Sequence, residues 1–309
     1  MSETLQVFDR QALRRQRDRA AVNWPSHDFL VQEVADRLLD RLQDLNRTFA
    51  RVLDLGCHGG ELASRLLGRQ GIEQVVQCDL SPAFARRAAG NGQPSLAASE
   101  EALPFAPQSF DLVISNLSLH WVNDLPGSLL QVHHCLKPDG LFLGALLGGE
   151  SLFELRVALM EGEIAATGGL SPRLSPLADV RDAGGLLQRA GFALPVVDRD
   201  HIAVTYPDPF NLMRELRGMG QSNALRDRLR HFTPRTTLLR AAEIYQQRFA
   251  QQDGRLPLTF QVLFMTGWAP HDSQQKPLRP GSAVARLAEA LEAEEKPAGE
   301  VISGKPQGR

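Results

Sequence analysis

The sequence predicts an α/β fold: a mostly parallel sheet wound with helices on both faces. Three observations point there. Val52, Leu53 and Leu55 form a short apolar run that leads into the glycine-rich turn Gly56-Cys57-His58-Gly59-Gly60 and then a helix from Glu61. Such a run suits a strand covered on both faces, and the glycines allow a tight turn with close backbone approach to a ligand. A second apolar strand, Gln74 to Cys78, ends at Asp79. Strand and helix patterns then alternate to about residue 147, as right-handed crossovers require.

Taken in order, residues 10–22 read as a basic helix, and 27–45 as an amphipathic helix with Leu30, Val34, Leu38, Leu42 and Leu45 on one side. The two form an N-terminal helical lid over 1–46. After Asp79, Ser81 is a good N-cap with Pro82 at the first helical position. Ser109 to Asn116 is a buried strand, and Leu136 to Leu143 leads into the next. Residues 168–176 form a turn-rich loop, and Gly184 to Ala190 a helix ending at Gly191. Phe192–Val204 and Leu258–Trp268 make a closing antiparallel pair, with a helical insertion over about 208–252 between them. The main domain thus runs 47–272. Residues 273–309 are rich in Pro, Gln, Glu and Lys and read as a flexible tail with one short helix near 283–295.

The residues around the turn narrow its ligand. The turn lacks both the Gly-x-Gly-x-x-Gly of dinucleotide sites and the Gly-Lys-Ser/Thr ending of a phosphate loop. Asp54 would repel a pyrophosphate and suit a cationic or hydroxyl-bearing ligand. Asp79 stands about 20 positions on, where a second-strand carboxylate grips ribose hydroxyls. Leu103-Pro104-Phe105, Phe110-Asp111-Leu112-Val113, His120-Trp121 and Leu136-Lys137-Pro138-Asp139-Gly140 follow in order.

That ordered set resembles the class I S-adenosylmethionine (SAM) dependent methyltransferases, a Rossmann-like α/β fold with a mostly parallel seven-stranded sheet. Longer matches are more particular: Val7-Phe8-Asp9-Arg10, Ser118 to Pro126, Gly148 to Leu152 with Glu154-Leu155-Arg156, and Leu216 to Asn223. These resemble the respiratory complex I assembly factors of methyltransferase fold, reported as protein-arginine hydroxylases and mitochondrial in eukaryotes. A more distant resemblance is to the malonyl-acyl carrier protein methyltransferase of biotin synthesis. The resemblance implies SAM as cofactor, contacted by Asp54, Gly56, Cys57, His58, Gly60, Asp79, Leu80, Ser99, Glu100 and Asn116. Two positions depart from the pattern. His58 replaces the usual glycine, and Ser99 beside Glu100 stands where a carboxylate or amide commonly meets the adenine amino group.

Composition agrees with a globular intracellular protein: 309 residues, 43% hydrophobic, 23% charged, net charge -2. That balance gives no bulk attraction to nucleic acid. No apolar run reaches transmembrane length, which leaves peripheral association as the one membrane contact open to the chain. Cys57, Cys78 and Cys135 read as buried thiols without disulfide or metal spacing. The arginines at 10, 14, 15, 17 and 19 evoke a mitochondrial leader. Asp9 and Asp18 interrupt them, and the family-like Phe8-Asp9-Arg10 leaves no room for a removable segment, which favours a bacterial cytoplasm over the mitochondrial matrix.

For catalysis, His120 lies at the carboxyl end of the fourth strand and is the candidate base, with Trp121 as a wall and Asp124 nearby. Packing of the pocket floor or capping of the next helix is the alternative for His120 and Trp121. Three functions follow: an enzyme methylating or hydroxylating an arginine of a complex I subunit, an O-methyltransferase for an acyl carrier protein or small molecule, and a non-catalytic SAM-binding chaperone. The arginines at 214, 217, 226, 228 and 230 would serve an acidic carrier partner, or simply a solvated face.

Overall fold

The computed structural model describes residues 6–275. Helix α1 (Arg10–Ala20) is capped by Asp9, whose carboxylate accepts the Ala12 amide at 2.9 Å. A 3-10 stretch (Ala21–Ser26) leads to α2 (Phe29–Gln43), which buries Leu30, Val34, Leu38 and Leu42 along the expected stripe. There follow β1 (Arg51–Leu55), α3 (Glu61–Leu66), β2 (Gln74–Asp79), α4 (Pro82–Ala88), β3 (Ser95–Ala97), β4 (Phe110–Asn116), α5 (Leu125–Cys135) and β5 (Leu136–Leu147). The chain continues through α6 (Phe153–Thr167), α7 (Val180–Arg189), β6 (Ala193–Tyr206), α8 (Pro209–Gly218), α9 (Arg235–Phe249) and β7 (Leu256–Trp268).

Seven strands form one sheet in the order β3-β2-β1-β4-β5-β7-β6. β1 to β5 run parallel, while β7 is antiparallel to both β5 and β6. Alternation along the strands feeds two cores. Val52, Leu112 and Ile114 face the layer containing α2, α3, α6 and α8, whereas Leu53, Leu55 and Val113 face that of α5 and α7. Burial on both sides explains why these strands read as nearly unbroken apolar runs. The strand order reverses at β1 and β4, which places a crevice at their carboxyl ends.

The elements depart from expectation in four places. Helix α6 is absent from the sequence reading: Gly162 sits in its middle. There α9 comes so close that a Cβ would lie 2.6 Å from the Ala241 nitrogen. Helix α7 begins four residues early because Asp179 caps it, its carboxylate accepting the Arg181 amide at 2.8 Å. Strand β3 has only three residues, too few for a periodic signal. The insertion is helical only in α8 and α9: Gly220 turns the chain at φ +73° and Pro234 starts the second helix. Between them, residues 224–226 run back against the start of α1. Of the 273–309 tail, residues beyond 275, including the short helix expected near 283–295, lie outside the described residues.

Candidate active site

The first βα turn opens at Gly56, whose φ is +73° and whose Cβ, were there one, would stand 2.1 Å from the Ser118 Cβ. The Gly56 and Cys57 amides donate to the Cys78 carbonyl at 2.7 and 3.0 Å, which pins the turn across β1 and β2. Gly60 ends the turn at φ +88°. His58 takes a left-handed φ of 48°, unusual for a residue with a side chain. Its ring compensates by stacking on Trp24 at 5.4 Å, with Nε2 3.0 Å from the Asn116 carbonyl. Burial and then Arg17 lower its pKa to about 3, so the ring is neutral and donates to that carbonyl.

Three carboxylates meet at this turn, each 0% exposed: Asp54, Asp79 and Glu100. Asp79 accepts the Ser81 and His58 amides at 2.7 and 3.2 Å. Burial pushes its pKa up to about 6 against the pull of Arg17. Glu100 accepts Ser118 Oγ–H at 2.6 Å and pairs with Arg17 and Arg10. Burial opposes its ionisation, yet those two guanidinium groups hold its carboxyl down at about 2. Asp54 differs from both, since neither of its oxygens has a hydrogen-bond partner among the described residues. Burial, with Glu61 and Asp79 adding to it, raises its pKa well above the usual carboxylate range.

The residues expected at the cofactor are thus brought together, with two changes of role. Ser99 Oγ accepts from Arg10 at 3.0 Å. Asn116 turns its amide away, donating to the Val31 carbonyl at 2.9 Å. Leu80 is half-buried and packs with Phe8 and Trp121, while Cys57 is a buried free thiol.

His120 and Trp121 form a 3-10 turn after β4 and line a neighbouring cavity of about 50 Å³. Trp121 Nε1–H donates to Gln221 Oε1 at 2.9 Å, which fixes that oxygen as an acceptor. His120 Nε2, 3.5 Å from the same oxygen, therefore carries the proton, and the buried Nδ1 is left with a free lone pair. Burial, followed by the Arg17 charge, lowers the His120 pKa to about 3. Arg156 and Arg173 also line the cavity, and no carboxylate does among its described lining residues. Arg173 is tied to Glu163 at 2.7 Å.

Asp124 is not brought to this cavity. It is exposed and caps α5, its carboxylate accepting the Gly127 amide at 2.8 Å. The site also contains Arg10, Arg17, Trp24, Ser118 and Gln221, none of them singled out from the sequence as site residues, although the basic helix that carries Arg10 and Arg17 was expected as a lid. Arg17 carried a legible signal, because it falls on the apolar face of α1 between the buried Leu13 and Ala20.

The methyltransferase domain family matches residues 53–144. The arginine-hydroxylase NDUFAF5, mitochondrial, of Danio rerio is 44% identical over 289 residues, covering 92% of this chain and 89% of that protein. The human protein of that name is 43% identical over 93% of this chain and 84% of its own. The malonyl-[acyl-carrier protein] O-methyltransferase of Halorhodospira halophila is 36% identical over 88% of this chain and 92% of its own. Among solved structures, the YcgJ protein of Bacillus subtilis shares the fold with a TM-score of 0.53 at 15% identity, covering 76% of this chain and 98% of its own. Among the described residues, no helix is long and apolar enough to cross a membrane.

Proposed function

The chain belongs to the methyltransferase-fold family of the arginine hydroxylase NDUFAF5, and from that premise we propose a SAM-dependent enzyme that modifies a protein arginine. Its setting is the assembly of respiratory complex I, in the bacterial cytoplasm or the mitochondrial matrix. The observation that carries the reading is Asp54, a fully buried acid whose two oxygens have no partner among the described residues, beside Asp79 and the glycine turn. Such a group is costly unless a donor satisfies it. An amine and a ribose diol supply those donors, so the residues present fit SAM. Asp54 would take the amine and Asp79 the diol, at a turn whose glycines 56 and 60 let it pack against Ser118 and Gln77.

When bound, the cofactor supplies a methyl group on a positively charged sulfonium. The chain's own residues align the acceptor and exclude water. His120 Nδ1 is positioned to accept a proton at the cavity wall, and Gln221 fixes the tautomer that leaves it free. Hydroxylation needs an oxidant as well.

A second reading has its own support. Arg156 makes no side-chain ion pair or hydrogen bond among the described residues and faces a cavity without carboxylates. That lining suits an anionic acceptor, such as the free carboxylate of a malonyl group on a carrier protein, better than a guanidinium.

Calorimetry with SAM on the wild type and Asp79→Ala tests the cofactor; equal affinity would remove Asp79 from the site. Mass spectrometry of complex I subunits from strains with and without the protein tests the substrate. An arginine modified only when the protein is present is the expected result. Identical subunits and normal complex I in both strains would reject it.

A further inference from the structure

The carboxylates that the cofactor reading needs are already engaged from within the chain. Arg17 is 3% exposed. Its Nη1 lies 3.5 Å from Asp79 Oδ1 and 3.2 Å from Glu100 Oε1, and its Nη2 donates to Ser118 Oγ at 2.9 Å. One guanidinium therefore spans the ribose-gripping acid, the acid beside the adenine position and the serine against Gly56. Nothing reaches Asp79 from solvent while α1 keeps this place, because Asp79 is 0% exposed.

Helix α1 is tied on its other side to the segment lining the acceptor cavity. Gln16 Nε2 donates to the Asn223 carbonyl at 3.2 Å, and the Asp9 amide to the Ala224 carbonyl at 2.8 Å. Phe8 bridges Leu225, and Asp9 pairs with Arg228 at 3.0 Å. Gln221, three residues before Ala224, holds Trp121 and faces His120. Helix α1 thus touches the cofactor carboxylates through Arg10 and Arg17, and the segment at the acceptor cavity through Gln16 and its Asp9 cap.

We propose that Arg17 is an internal latch on the cofactor cleft. Its guanidinium holds Asp79 and Glu100 together, cofactor entry requires it to release Asp79, and the resulting shift of α1 loosens segment 221–226 at the acceptor cavity. The proposal rests on the SAM reading. It makes binding ordered, cofactor before acceptor, since the acceptor wall moves only once the latch is drawn. The two charge pairs are unequal in the way a latch requires. The Asp79 contact, at 3.5 Å against 3.2 Å, is the longer of the two, while Glu100 keeps Arg10 as a second partner.

The test uses the full chain with S-adenosylhomocysteine as an unreactive probe. Stopped-flow tryptophan fluorescence should show an association rate that levels off with ligand concentration in the wild type, because opening precedes binding. In Arg17→Met the rate should rise linearly, with apparent affinity tighter by about tenfold as the cost of opening is removed. Hydrogen exchange over residues 10–20 and 221–226 should speed up when the wild type is saturated. A linear rate in the wild type, unchanged exchange on saturation, or a plateau that persists in Arg17→Met would each overturn the latch while leaving the cofactor in place. Absence of binding in both proteins would instead overturn the SAM reading. The wild-type arms decide the matter even if the variant does not fold.

Discussion

The two halves of the site are built on opposite electrostatic plans. In the cofactor half, charge is buried and mostly paired: Arg17 and Arg10 answer Glu100, and Asp79 has Arg17 and two amides, so that Asp54 is the exception. In the acceptor half the wall is largely apolar, with a neutral His120 and an Arg156 that lacks a partner among the described residues. The difference teaches where each half's specificity comes from. A ligand entering the first must outcompete contacts the chain makes with itself. A ligand entering the second meets groups that are free to choose.

The contrast breaks most sharply at stability. Glu100→Ala leaves Arg17 and Arg10 facing each other without their shared carboxylate, and should cost about 3–5 kcal/mol in urea unfolding. Arg156→Ala, a larger truncation on the acceptor side, should stay within about 0.5 kcal/mol. Similar losses for the two would erase the distinction.

Acid should reveal the same asymmetry. His58 and His120 have pKa values lowered to about 3. Their contribution is complete above the unfolded value of about 6.5 and is lost as pH falls from there through 3. Glu100, lowered to about 2, adds a second loss below its ordinary value of 4.5. Asp79 works the other way: raised to about 6, it favours the fold below 3.8, and that contribution disappears as pH rises through 6. Asp54, raised well above its ordinary range, acts as Asp79 does, so between pH 6 and 4.5 the two acids offset the two rings. The expected sum is an unfolding midpoint that changes little there and falls below 4.5, more steeply below 3.8. A midpoint that rises between pH 6 and 4.5, as the two acids alone would give, would mean the two rings are not held neutral.

The sequence showed one half far better than the other for a physical reason. Asp54, Gly56, His58 and Asp79 lie within two βα units, where strand, turn and helix must follow each other closely, so their spacing is itself the signal. The acceptor cavity draws on Leu30, His120, Arg156, Arg173, Gln221 and Phe260, which only the finished fold brings together. No period or motif links them. Arg17 falls between these cases: its placement between Leu13 and Ala20 marked a buried face, but a string of arginines reads first as solvated. The fold was legible down to the antiparallel closing pair, whereas α6 was hidden because Gly162 trades helix propensity for close packing on α9.

The acceptor's charge can be read from a single reversal. Arg156→Glu places a carboxylate in a cavity that has none among its described lining residues. With an arginine peptide as acceptor, KM should fall; with a malonyl-carrier acceptor, KM should rise about tenfold, which corresponds to about 1.4 kcal/mol. Equal KM values for wild type and variant would show that Arg156 does not face the acceptor at all, and would remove its charge as a determinant of the cavity.

The smallest effect separates Asp124 from its neighbours. Its carboxylate accepts the Gly127 amide at 2.8 Å, and the residue is exposed at the start of α5. Asp124→Ala should therefore cost about 1 kcal/mol, as loss of a helix cap does, with kcat unchanged. Asp124→Asn, which retains a capping oxygen, should recover most of that stability. His120→Asn should show the reverse pattern, a loss of kcat with a smaller change in unfolding. If Asp124→Ala instead lowered kcat at unchanged stability, the cap would be incidental. The acceptor half would then hold a carboxylate after all, set at its rim, where the Asn123 and Asp124 amides already bind Glu101 at 2.8 and 3.0 Å.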